Sequence, residues 1–167
     1  MSTQLIHENT EFETKTFPIT VICDEIYFQQ NIGSIFRICD AFGVEKIYFT
    51  GEHFILSDRK VNKTSRNTHK TVPYEVLKDK NELINIIKNG NYQVIALEIT
   101  DDSIPVEQLK ITNQPIALIL GSEIYGISSD LLQIANQCTH IPMYGKNSSM
   151  NVVQAAAIIL HRITSII

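Results

Sequence analysis

Three polar stretches hold the side chains able to orient a substrate or stabilise charge, and each follows an apolar run that reads as a strand. They are Gln30-Asn31-Ile32-Gly33-Ser34-Ile35-Phe36-Arg37, Leu120-Gly121-Ser122-Glu123-Ile124-Tyr125-Gly126-Ile127, and Ile141-Pro142-Met143-Tyr144-Gly145-Lys146-Asn147-Ser148-Ser149-Met150-Asn151. Loops at strand ends are where open α/β sheets bind ligands. Each motif also has a plainer role. Asn31 can cap a helix, and Arg37 can sit exposed beside Asp40 or Asp24. Glu123 can occupy a helix-start position, and Ser149 and Asn151 can cap the last helix.

Several chemistries are disfavoured. The spacing of Gly121 and Gly126 matches neither GxGxxG nor GxxxxGK[ST], so a dinucleotide or ATP loop is not indicated. Ser122 directly follows Gly121, which breaks the GxSxG hydrolase elbow. Cys23, Cys39 and Cys138 are widely spaced and form no CxxC pair, and the histidines at 7, 53, 69, 140 and 161 lack ligand or triad spacing. Neither a disulfide framework nor a metal is expected. The net charge of −4 argues mildly against dependence on nucleic-acid phosphates. One segment stands out against that balance. Arg59, Lys60, Lys63, Arg66 and Lys70 concentrate positive charge in what reads as a polar connection, a natural place for an RNA backbone or simply a solvated loop.

The elements that must position these residues alternate. Residues 1–16 read as a polar arm without signal-peptide order, and 17–167 as one domain, its 167-residue chain 44% hydrophobic and without a membrane-length apolar run. A cytoplasmic protein is the default. Strands are expected at Ile19–Cys23, Lys46–Thr50, Tyr92–Leu97, Ile116–Leu120 and Thr139–Ile141. Helices are expected from Asn31 to Phe42, from Asn81 to Gly90, from Ile127 to Ala135 and from Val152 to Ile167. Residues 58–70 are read as irregular. Apolar strands alternating with helices imply an α/β fold, a mainly parallel sheet with helices on both faces.

In this order and spacing, the three stretches resemble the SPOUT superfamily of RNA methyltransferases, in its TrmH-like ribose 2′-O-methylating branch. Asn31, Gly33 and Arg37 match Asn-x-Gly-x-x-x-Arg. Gly121, Glu123 and Gly126 match a strand running into Gly-x-Glu-x-x-Gly. Ile141-Pro142-Met143, Ser149, Asn151 and the Ala155-Ala156-Ala157 helix match the third motif, with Met150 where the family commonly has Leu. The likeness spans roughly residues 18–165. It implies a C-terminal deep trefoil knot, a homodimer, and S-adenosyl-L-methionine as cofactor. The dimer has independent support in the last helix, whose Val152, Val153, Ile158, Ile159, Leu160, Ile163, Ile166 and Ile167 exceed one core face.

The resemblance assigns catalysis to Asn31, Arg37, Glu123, Ser149 and Asn151, and cofactor contacts to Leu97, Gly121, Ile141, Ser149 and Met150. A guanidinium stays protonated at neutral pH, so Arg37 suits a phosphate and a developing alkoxide better than it suits proton abstraction. With one domain, the RNA would be held by the catalytic dimer itself, tRNA being favoured over rRNA. Two rivals stay open: a non-catalytic RNA-binding or cofactor-sensing protein of this fold, and a flavodoxin-like nucleotide binder.

Overall fold

A computed structural model describes Thr10 and residues 12–167; most of the expected polar arm lies outside the described residues. The chain runs β1 (Phe17–Asp24), α1 (Gln29–Ala41), β2 (Val44–Thr50), α2 (Asp58–Ser65), β3 (Tyr74–Leu77), α3 (Lys80–Asn89), β4 (Gln93–Leu97), β5 (Ile104–Pro105), β6 (Ile116–Leu120), α4 (Ser129–Leu132), β7 (Gln137–His140) and α5 (Val152–Thr164). The strands form one sheet in the order β3-β2-β1-β6-β4-β7-β5, and every ladder is parallel. All strands therefore end at the same edge.

Alternation across the pleat sends successive side chains to opposite faces. Val21 and Cys23 pack with Ile32, Ile35 and Phe36 of α1 and Ile159, Leu160 and Ile163 of α5. Ile22, between them, faces the other way with Leu83 and Ile87 of α3 and Leu131 of α4. Both faces being covered explains why β1 and β6 are apolar almost throughout. No described helix is long and apolar enough to cross a membrane.

The structure departs from the sequence reading in several places, and the helix expected from Ile127 to Ala135 is only Ser129–Leu132. Residues 58–70 are not an irregular connection: they form α2 and a 3-10 turn at Thr68–Lys70. Only Val61, Ser65 and His69 of this stretch are buried, too few apolar positions to produce a readable period. Asn31 does not cap α1, which starts two residues earlier with Phe28 at its N-cap and no side-chain cap bond. Asp79, not Asn81, opens α3, its carboxylate accepting from the Asn81 amide at 2.9 Å. The strands β3 and β5 were not expected. β3 is an exposed edge strand and β5 only two residues long, so neither has an apolar run to betray it.

Gly33 shows what α2 rests on. A Cβ there would lie 2.5 Å from the Val61 carbonyl oxygen and collide with the Thr64 hydroxyl, so glycine lets α1 and α2 touch backbone to backbone. The motif glycine is thus a packing residue. Gly33→Ala should lower unfolding free energy by about 1–3 kcal/mol in a denaturant titration, the ordinary cost of overpacking. Circular dichroism should show the remaining fold intact.

Candidate active site

The loops leaving β1, β6 and β7 converge at the C-terminal edge of the sheet. Asn31 lies in the first turn of α1, and its amide nitrogen donates to Glu123 Oε1. Its amide oxygen accepts from Asn151 Nδ2 at 3.2 Å. Asn151 Oδ1 in turn accepts from the Val153 amide at 2.8 Å, capping α5. A carboxylate only accepts, so Glu123 dictates which end of Asn31 faces it, and Asn31 then dictates the orientation of Asn151. One polar relay joins all three stretches.

Glu123 is displayed by a tight hairpin. Ser122 and Gly126 pair through two backbone bonds of 3.1 and 3.0 Å, and the Tyr125 amide donates to the Ser122 hydroxyl at 3.0 Å. Gly126 takes a φ of +69°, a left-handed conformation that glycine adopts without strain. A Cβ at Gly121 would sit 2.5 Å from the Ile127 nitrogen, so the two glycines serve the hairpin's approach to its own strand.

Behind the relay opens a cavity of about 650 Å³, within the usual range for small-molecule sites. Leu97, Gly121, Ile141, Ser149 and Met150 all line it, as do Glu123 and Asn151. Ser149 is exposed; its backbone amide donates to Asn147 Oδ1 at 3.4 Å, and it caps no helix. Glu98, which sequence reasoning passed over, also stands in the wall. Its two carboxylate oxygens accept from the Ile99 amide at 2.9 Å and the Ile127 amide at 3.1 Å, tying the β4 and β6 loops together. The available signal was its position: like Glu123, it lies just past the end of an apolar strand. The wall contains two glutamates and no lysine or arginine.

Arg37 is not brought to this relay. Six residues beyond Asn31 on α1, it lies about 9 Å further along the helix axis, exposed and without an ion pair among the described residues. The pairing with Asp24 or Asp40 that its neighbours suggested is absent. Arg59, Lys60, Lys63, Arg66 and Lys70 are all exposed on α2 and the turn after it. No cluster of three or more His, Cys, Asp or Glu suited to a metal occurs among the described residues. Burial pushes the Cys23 and Cys39 thiols upward, as befits core residues.

Asp24 is a second residue that the sequence did not single out for the site's architecture. Buried at the end of β1, it accepts from the Thr50 hydroxyl at 2.9 Å and the Ser128 amide at 2.7 Å, and pairs with Lys80 at 3.1 Å. It thereby fixes the segment that follows the Glu123 hairpin. Burial alone would lower the Lys80 pKa, but hydrogen bonds to Glu25 and Asp24, with their charges, raise it.

The chain belongs to the SpoU rRNA methylase family, whose model matches residues 18–161. It is 30% identical over 150 residues to the tRNA (guanosine(18)-2′-O)-methyltransferase of Aquifex aeolicus, covering 89% of this chain and 70% of that protein. The enzyme of the same name from Thermus thermophilus is 31% identical over 142 residues, covering 85% and 72%. The crystal structure of the A. aeolicus TrmH/SpoU tRNA modifying enzyme superposes with a TM-score of 0.80 at 28% identity, covering 92% of this chain and 77% of that one.

Removing the Lys80 charge strands a buried carboxylate. Lys80→Met should cost about 3 kcal/mol in a denaturant titration, the scale for breaking a largely buried pair. Because the lysine is raised in the fold, its contribution is complete below the ordinary value of 10.5 and fades as pH rises through the folded value. The difference between wild type and variant should therefore stay flat across neutral pH and shrink only in strong alkali.

Proposed function

We propose that this methyltransferase carries a methyl group from S-adenosyl-L-methionine to a ribose 2′-hydroxyl of tRNA, at the cavity bounded by Glu98, Glu123 and Asn151. The observation that carries the reading is the wall chemistry: two carboxylates, several apolar side chains and no Lys or Arg. Such a lining fits a cationic sulfonium carrying a flat purine. It suits a phosphate-bearing nucleotide poorly, which disfavours the flavodoxin-like alternative. The tRNA substrate rests on the names of the two relatives at 30% and 31% identity.

Leu97, Gly121, Ile141, Ser149 and Met150 would hold the cofactor, chiefly through apolar contact and free backbone groups at the strand ends. When bound, it would supply a methyl carbon to the ribose 2′-oxygen in line, the sulfur leaving as a neutral thioether and the hydroxyl proton passing to solvent. The protein aligns the reactants and handles charge. Asn31, held by Glu123 and Asn151, is preorganised to orient the sugar, while Ser149 lines the cavity wall. Arg37, without an ion pair among the described residues, takes the phosphate next to the target and offsets negative charge as it grows on the 2′-oxygen.

Two larger features belong to the same reading. The C-terminal segment is assigned a deep trefoil knot. β7 lies between β4 and β5, both laid down earlier, and segment 141–151 shares the cavity wall with the loops after β4 and β6, which supports such threading. A homodimer is assigned to α5. Its Ala156, Ile159, Leu160 and Ile163 face the core while Ile158, and Ile166 and Ile167 just past its end, remain at the surface. A tRNA substrate also implies work in the cytoplasm.

The test uses labelled S-adenosylmethionine with separated tRNA and rRNA pools from a host lacking the protein, product nucleosides being identified by mass. A 2′-O-methylnucleoside should appear in the tRNA pool. Arg37→Ala should lower the transfer rate by roughly 10²–10³-fold, the scale for one transition-state donor, with cofactor affinity unchanged. Full activity in Arg37→Lys would rule out a role for the planar guanidinium. Cofactor binding without transfer to either pool would favour the non-catalytic alternative.

A further inference from the structure

Along the C-terminal edge of the sheet, the loops after successive strands each expose a large apolar side chain. Following the strand order β2-β1-β6-β4-β7, these are Ile55 at 73% exposure, Phe28 at 59%, Tyr125 at 82%, Ile99 at 61% and Tyr144 at 96%. Single exposed apolar residues are ordinary, but a row along one edge of a sheet marks an interaction surface. Three of the five are aromatic, and each stands on the same stretch as a relay or site residue. Phe28 precedes Asn31 by three positions, Tyr125 follows Glu123 by two, and Tyr144 precedes Ser149 by five. None of the three rings contacts another aromatic ring among the described residues.

Charge indicates the occupant. The row is flanked by cations at both ends, by Arg59, Lys60 and Lys63 of α2 beyond Ile55 and by exposed Lys146 beside Tyr144. The cavity itself is lined by carboxylates without a lysine or arginine. A polyanion with flat, apolar faces matches this pattern: phosphates at the flanks, bases on the rings. Aromatic side chains take up unstacked bases, whose faces a regular helix keeps covered by their neighbours.

We propose that Phe28, Tyr125 and Tyr144 form a stacking rim that holds unpaired bases flanking the methylated nucleotide, so that the substrate is an RNA loop or single strand, not a duplex. This rests on the RNA methyltransferase reading above and adds how that site selects its target.

The experiment measures binding of the full chain to a 2-aminopurine-labelled single-stranded RNA oligonucleotide and to a blunt duplex of the same strand. Fluorescence anisotropy reports affinity, and quenching of the label reports stacking. Tyr125→Ala and Tyr144→Ala should each weaken single-strand binding about tenfold and remove most of the quenching. Tyr144→Phe should restore both, because the ring and not the hydroxyl does the stacking. Lys63→Ala should weaken binding without touching the quench, and flatten its dependence on salt. The duplex should bind weakly and alike to wild type and ring variants. Alanine variants that bind and quench like wild type would overturn the proposal. So would alanine variants that fall to a smaller species in light scattering, since the rim would then be a contact between two copies of the chain. The two readings fail separately: wild type that stacks RNA but transfers no methyl group defeats only the catalytic reading. Wild type that transfers methyl groups while the ring variants bind unaltered defeats only the rim.

Discussion

Parallel pairing is the constraint on which everything else depends. Because each ladder is parallel, the C-terminal ends of β1, β6, β4 and β7 coincide at one edge, and their loops are forced into the same small volume. β1 and β6 are neighbours with Cys23 opposite Leu120, so the residues that follow them, distant in sequence but adjacent in space, can meet through short side chains. Glutamate and asparagine need no long reach there. An antiparallel partner at either position would have sent one of these loops to the far edge.

The relay among Glu123, Asn31 and Asn151 turns that proximity into order. Each member settles the donor or acceptor face of the next, and the last bond caps α5. A hydrogen-bonded chain of this kind resists rotation of any one amide, since turning it would oppose two donors or two acceptors. Asn151 uses one amide end for helix capping and the other for Asn31, so the bond that caps α5 also fixes how Asn31 is held.

Charge is sorted by depth. Carboxylates stand in the cavity wall, while the cations of α2 lie outside on a helix packed against α1. A modestly acidic chain can in this way receive a cationic small molecule within and a polyanion without. The net charge of −4 averages two opposite local fields and conceals both. Arg37, exposed on α1 and absent from the cavity wall, lies on the outer side of that division.

Much of this was legible in the linear chain, and for a local reason. Continuous apolar runs such as Ile116–Leu120 fit strands buried on both faces, and Asn31, Glu123 and Asn151 stand in or just beyond the short polar loops such strands must release at their ends. The alternation of strands and helices likewise follows from patterns a few residues long. Three-dimensional packing decided the rest. Asn31 looked like a cap because its neighbours permit one; its actual partners are 92 and 120 residues away, where no local pattern points. α2 is helical because Val61 and Ser65 are buried beside Gly33 of α1, a contact that a polar sequence cannot advertise. Glu98 and Asp24 became part of the site's frame only once the strand order set β6 between β1 and β4, since strand order is a global property and side-chain meetings at a sheet edge depend on it.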